Sequence, residues 1–284
     1  MKTLLLGAVA YDPKTVTIWE GFRRWLRARD CDLDFVLYAH YERQAEDLLA
    51  GRIDVAWHSP LAWVRSRRLA DADGTALTAV TMRDTDRDLT TAVVVRADSP
   101  LTSVTDLAGR TVAVGAVDSP QATLLPLSLL RSAGLEPDTD VKVLRHDTGV
   151  GLHGDHIGGE RDAAIALRDG RADAACMTDS NLLLFRQEGT LPAAATRVLA
   201  HTDRYDHCVM AAGPSADPAA LDHLTGLLLD MSYADAEARP LLDLEGLTRW
   251  LPGRTDRYDA LEKAVDEAGF YDRRGGVSVR GYRP

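Results

Sequence analysis

Chemistry-capable side chains crowd into a few short stretches of this chain. The densest runs from Arg145 to Glu160, where His146, His153 and His156 lie with Asp147, Asp155 and Glu160 among five glycines. Neutral imidazole and carboxylate ligands suit zinc, nickel or iron when they converge. The His153-x-x-His156 spacing alone is a weak metal signature, and no His-Glu-x-x-His is present. No metal or other cofactor is therefore predicted, with His146, His153 and His156 as the residues that would carry one. The glycines favour the other reading, a flexible lid that closes over a ligand. A second stretch is His58-Ser59-Pro60, and a third is Asp118-Ser119-Pro120-Gln121. Each reads as a helix start, with serine as the cap and proline in the first turn. Helix starts present free N–H groups and suit anions. The fourth is His201 to Cys208, containing Tyr205, Asp206 and His207. Adjacent residues in a strand face opposite ways, so Asp206-His207 is no catalytic pair by adjacency alone. Tyr11-Asp12-Pro13 closes the list, as a hydroxyl and carboxylate or simply as a turn.

The elements that must position these residues alternate between strand and helix, the pattern of a largely parallel α/β protein. Strand signals cover 3–10, 35–38, 53–57, 77–82, 91–95, 111–115, 141–145 and 172–177, with two more within 197–212. Helical spacing covers 15–29, 41–49, 61–69, 121–132 and 160–169. From Ala219 onward the chain reads as mostly helical, and Arg273 to Pro284 as an exposed tail. Gly51-Arg52-Ile53-Asp54-Val55-Ala56 and Gly170-Arg171-Ala172-Asp173-Ala174-Ala175 echo each other, which two related lobes would explain.

Composition narrows the function. The 284 residues are 45% hydrophobic and 27% charged, with a net charge of −10. A chain this acidic repels phosphate backbones, so nucleic acid is excluded as a partner. Three cysteines without a CxxC fit neither a disulfide framework nor a cysteine zinc site. No stretch reaches the ~18 apolar residues of a membrane span. The opening apolar run is short and reads as a first strand, so the expected location is cytoplasmic as written, or periplasmic or extracellular if a leader has been removed.

Four stretches, in order, resemble the phosphate/phosphonate branch of ABC-transporter solute-binding proteins. They are Leu48–Val64, Leu101–Pro137 with Asp106-Leu107-Ala108-Gly109-Arg110 and Gly115–Ser119, Ala166–Ala174, and Gly246–Pro252 followed by Asp256–Asp259. The resemblance implies a two-lobed type 2 periplasmic-binding-protein-like fold. Each lobe would be a mixed sheet flanked by helices, joined by two crossing segments. Residues 1–92 plus 213–284 would form lobe 1 and residues 93–212 lobe 2. Ligand would sit where strand ends and helix starts converge, and the lobes would close like a hinge. Where phosphonate binders resemble Ser-Thr-Ser-Gly, this chain has Ser119, Pro120, Gln121 and Ala122. One hydroxyl remains and proline removes an N–H, so the anion cradle is thinned. His58 stands where the family is usually apolar, and the Gly-rich loop is longer than the family's.

The expected function is binding of a small polar or anionic molecule in the interlobe cleft. The candidate residues are Tyr11, His58, Ser59, Asp118, Ser119, Gln121, His153, His156, Tyr205 and His207. A transporter permease would be a partner only if the protein is exported. The alternative is a cytoplasmic biosynthetic enzyme on the same fold, as menaquinone-pathway enzymes and the yeast thiamin-pyrimidine synthase are. It would use His58 and His207 first, with His153 and His156, as general acid or base, possibly with a metal. No G-x-S-x-G, Walker or Rossmann fingerprint assigns a reaction.

Overall fold

A computed structural model describes residues 2–154 and 157–283. The first apolar run becomes β1 (Leu4–Val9), followed by α1 (Lys14–Arg27), β2 (Leu33–Tyr38), α2 (Tyr41–Leu49), β3 (Val55–His58), α3 (Pro60–Asp73) and β4 (Thr78–Arg83). The chain then crosses to β5 (Thr91–Arg96), β6 (Thr111–Val114), α4 (Leu125–Ser132), β7 (Lys142–Arg145), α5 (Gly158–Arg168), β8 (Ala174–Thr178), α6 (Asp179–Gln187) and β9 (Thr196–His201). It returns to β10 (Val209–Ala212), α7 (Pro218–Leu229), α8 (Arg239–Glu245), β11 (Trp250–Pro252) and α9 (Asp259–Ala268).

Two mixed sheets result. The first has six strands in the order β11-β4-β10-β3-β1-β2, and the second five in the order β7-β6-β8-β5-β9. β1 pairs in parallel with β2 and β3, while β10 inserts antiparallel between β3 and β4. The central strands are buried on both faces, so they read as unbroken apolar runs rather than alternating ones. One core lies under α1, where Trp19, Phe22, Trp57 and Trp250 pack edge to face. Burial of each such side chain contributes roughly 1.5–3 kcal/mol.

Val209–Ala212 belongs to the first sheet, whereas a lobe boundary at 212 places it in the second. A short, fully apolar strand carries no mark of which sheet it joins. The C-terminal segment is likewise not an exposed tail. Tyr271 pairs with Val277, and Tyr282 is buried against Phe270. Charged Arg273, Arg274, Arg280 and Arg283 set the polar reading of this segment, while its tyrosines do the packing.

Two segments join the sheets, 84–90 and 202–208. They run beside each other: Leu89 and Tyr205 exchange N–H···O bonds of 2.9 and 3.0 Å, and His207 N–H donates to the Asp86 carbonyl at 2.8 Å. This is the crossing that a hinged, two-lobed molecule needs. The lobes also meet through apolar side chains. Leu124 and Leu125 share a core with Trp63, Tyr258 and Leu261.

Candidate functional site

Two serine-capped helix starts stand at the strand ends. Ser59 Oγ accepts from Ala62 N–H at 3.1 Å and Ser119 Oγ from Ala122 N–H at 3.1 Å, each followed by a proline at the first helical position. The second start is a π-helical turn, Pro120–Leu124, that runs into α4. Wide turns of this kind are frequent at functional sites.

Between them lies the Gly-rich loop. Asp118 Oδ2 accepts from the N–H groups of Gly151 (2.8 Å) and His153 (3.0 Å), and Gln121 Nε2 donates to the Gly154 carbonyl at 2.9 Å. Gly151 and Gly154 hold φ of 96° and 86°, and a Cβ at Gly154 would run into the Gln121 amide. Glycine is therefore required there.

The loop delivers His153 into the first lobe. Its ring is fully buried and stacks on Tyr41, with centroids 4.7 Å apart and planes 15° from parallel. Ser59 Oγ lies 2.9 Å from Nδ1, and Nε2 is 2.9 Å from both Glu42 Oε1 and the Tyr282 hydroxyl. The Glu42 carboxylate only accepts, so Nε2–H donates to it, and in the neutral tautomer this leaves Nδ1 to accept the Ser59 hydroxyl proton. Tyr271 and Tyr282 also donate to Glu42 Oε1, at 3.0 and 2.9 Å. Burial opposes charge on Glu42. The neighbouring His153 and the bonds from His153 and Tyr282 nonetheless bring its carboxyl down to about 2.

His58 is fully buried within its own lobe. Gln44 donates Nε2 to the Gly7 and Trp57 carbonyls (2.8 and 3.1 Å), so its Oε1 accepts from His58 Nδ1–H at 3.0 Å. His58 Nε2 then accepts from the Ser66 hydroxyl at 3.0 Å. Burial, then the nearby His153, lowers this imidazole to about 3, so it is neutral.

The remaining candidates disperse. Tyr11 sits at the end of β1, half-buried, while Asp12 Oδ1 accepts from Lys14 N–H at 2.8 Å, the local bond of a turn. Tyr205 is buried in the crossing, its hydroxyl 3.3 Å from Thr91 Oγ1, and burial pushes its pKa up. His207 also lies in the crossing, with Nδ1 3.1 Å from Cys208 Sγ and 3.4 Å from Asp86 Oδ1. His156 lies outside the described residues. Among the described residues, Asp86, His207 and Cys208 form the group with potential metal-ligand atoms within 4.8 Å of one another. The Arg83 guanidinium already forks onto both Asp86 oxygens, at 2.5 and 2.9 Å, which makes this set a hinge clamp. His146, half-buried with its pKa lowered by burial, is no member of it.

Sequence reasoning missed Tyr41, Glu42 and Tyr282, and took Glu160 only as one acid of the Gly-rich stretch. Glu42 reads as an ordinary first-turn helix acid and Tyr282 as part of a charged tail. Glu160 is buried, accepting from Thr178 N–H (2.9 Å) and Asn181 Nδ2 (2.8 Å), and burial raises its pKa. Its place directly after the Gly-rich loop is the one signal that pointed there.

Residues 8–258 match the family model described as ABC transporter, phosphonate, periplasmic substrate-binding protein. The chain belongs to this family. Its fold is that of the phosphonate-type binding proteins. It resembles PhnD1 from Prochlorococcus marinus, solved in complex with methylphosphonate, at 16% identity and a TM-score of 0.67, over 94% of this chain and 98% of that one. XAC2383 from Xanthomonas citri, solved with chloride ion bound, matches at 20% identity and a TM-score of 0.69, over 93% and 98%. The periplasmic aliphatic sulphonate binding protein SsuA from Escherichia coli matches at 19% identity and a TM-score of 0.57, over 100% and 94%. The two sheets joined by a double crossing have that fold, and this chain's Gly-rich loop brings His153 from one sheet's side to the other.

Proposed function

We propose that this protein is a solute receptor that captures a small molecule between its lobes and presents it to an ABC-transporter permease outside the cytoplasmic membrane. The observation that carries this reading is the second-lobe loop seated in the first lobe, where His153 meets Ser59 and Glu42 while Asp118 holds its backbone, beside a double crossing that can serve as a hinge. The double crossing lets the lobes close around a ligand held between them. The family's periplasmic description supports the location. No helix among the described residues is long and apolar enough to cross a membrane. Tyr41, Glu42, Ser59, Asp118, Gln121 and His153 are the residues we assign to the cleft.

The methylphosphonate of the Prochlorococcus protein transfers poorly to this chain. An oxyanion needs converging donors. Here Glu42 Oε2, Asp118 Oδ1 and Gln121 Oε1 are buried acceptors with no partner among the described residues. Of the histidines considered for acid–base work, His58 and His153 have both nitrogens held in hydrogen bonds, and His207 sits in the crossing against Asp86 and Cys208, which supports binding over catalysis at this site.

The test is native mass spectrometry of the protein as purified. Thermal melts and small-angle scattering with methylphosphonate, alkanesulfonates and small amines would accompany it. We expect at least one solute class to raise Tm by several degrees and to leave a retained molecule in the native spectrum. A chain that retains nothing and shifts with no solute class is not a receptor.

A further inference from the structure

The environment of His153 has the form of a ligand site. Among the described residues, the groups that hydrogen-bond to its ring or stack on it belong to the first lobe or the C-terminal segment, and the ring itself arrives from the second-lobe loop. One face stacks on Tyr41, one nitrogen meets the Ser59 hydroxyl, and the other meets the Glu42 carboxylate and the Tyr282 hydroxyl. An aromatic face, an in-plane carboxylate and hydroxyls at the edge are what a planar nitrogen heterocycle or planar cation requires. The site has capacity that His153 does not use, since Glu42 Oε2 is buried without a partner among the described residues. A ring or amidinium with two adjacent N–H groups would fill it.

The loop holds this position under strain. His153 is a non-glycine residue at φ 50°, in the left-handed region. Such conformations persist where surrounding structure over-determines them, and they gather at functional sites. Asp118 supplies part of that restraint by accepting the His153 N–H.

We propose that Tyr41, Glu42, Ser59 and Tyr282 form a recognition site for a planar nitrogen heterocycle or cation, filled in this conformation by the chain's own His153, with which an incoming solute competes. This rests on the receptor reading for its biological use, since it names the class of solute that would displace the loop. The recognition itself does not depend on that reading.

The experiment is chemical rescue with imidazole. In His153→Gly the backbone keeps a φ that glycine adopts freely, and a ring-sized site opens. The variant should melt several degrees below the wild type, and millimolar imidazole should restore Tm. Glu42→Gln in the same background should weaken imidazole binding by roughly tenfold or more, read by calorimetry. Thiophene, a ring of similar shape without N–H groups, should not substitute. If His153→Gly is unfolded by itself, imidazole-dependent recovery of its circular dichroism supports the site equally. Rescue by thiophene as effective as by imidazole, or no effect of imidazole on either melting or recovery, overturns the proposal. Rescue of His153→Gly alongside a wild-type chain that binds no solute would remove the receptor reading and leave the site. A wild-type chain that binds solutes alongside an unrescued variant would do the opposite.

Discussion

The two Ser-Pro helix starts are built alike and used differently. Each serine caps the N–H three residues on at the same distance, and each proline takes the first helical position. In the first lobe the residue before the serine is His58, neutral and tied to Gln44 and Ser66 in its own lobe. In the second it is Asp118, which reaches out to two N–H groups of the Gly-rich loop. The first start therefore receives, through Ser59 and Glu42, while the second delivers, through Asp118 and the loop it fixes. An identical cap leaves the function of a helix start undetermined, and the residue that precedes it decides.

The harshest break is on the receiving side. Glu42→Ala would leave Tyr271, Tyr282 and His153 Nε2 as three buried donors aimed at one missing carboxylate. Removing one partner of such a buried set costs about 3–5 kcal/mol. Urea unfolding should show that loss as a lowered midpoint at unchanged slope.

Acid titrates the receiving lobe next. His58 has its folded pKa near 3 against an ordinary 6.5. The unfolded chain therefore binds a proton that the folded chain refuses. Stability is complete above pH 6.5 and falls as pH drops towards 3, by up to about 1.4 kcal/mol per unit. Glu42, held near 2, adds a second loss only below about pH 4.5. His58→Gln should flatten the decline from pH 6.5 down to about 3 and leave only the loss from Glu42 below about pH 4.5. A decline that His58→Gln does not alter would show that another group titrates there.

The fold was legible because long apolar runs and caps recur in order: Leu4–Val9, Gly51 after α2, and Ser59-Pro60 before α3 are each unambiguous signals. The site was legible where local chemistry marked it. Ser59, Asp118, Gln121 and His153 stood out by their neighbours, and the structure brings all four to one place. Glu42 and Tyr282 carried no such mark, because their meaning is set by a partner 111 or 129 residues away in sequence. Spacing on one helix cannot announce a contact made by a loop from another lobe. Val209–Ala212 failed for the related reason that a buried strand is apolar whichever sheet accepts it.

The smallest effects test the comparison most directly. Ser119→Ala should cost about 1 kcal/mol, the ordinary value of a helix cap. Tm should then fall by about 2–4 °C. Ser59→Ala should cost more, about 2–3 kcal/mol, because it also leaves His153 Nδ1 buried without its donor. The surplus belongs to the pair, so it should vanish when Ser59→Ala is made in a His153→Gly chain, where only the cap remains to be lost. Ser119→Ala should cost the same in both backgrounds, since its hydroxyl serves its own turn. Equal coupling of both serines to His153 would mean that the loop senses helix starts in general, and the asymmetry between receiving and delivering lobes would fall with it.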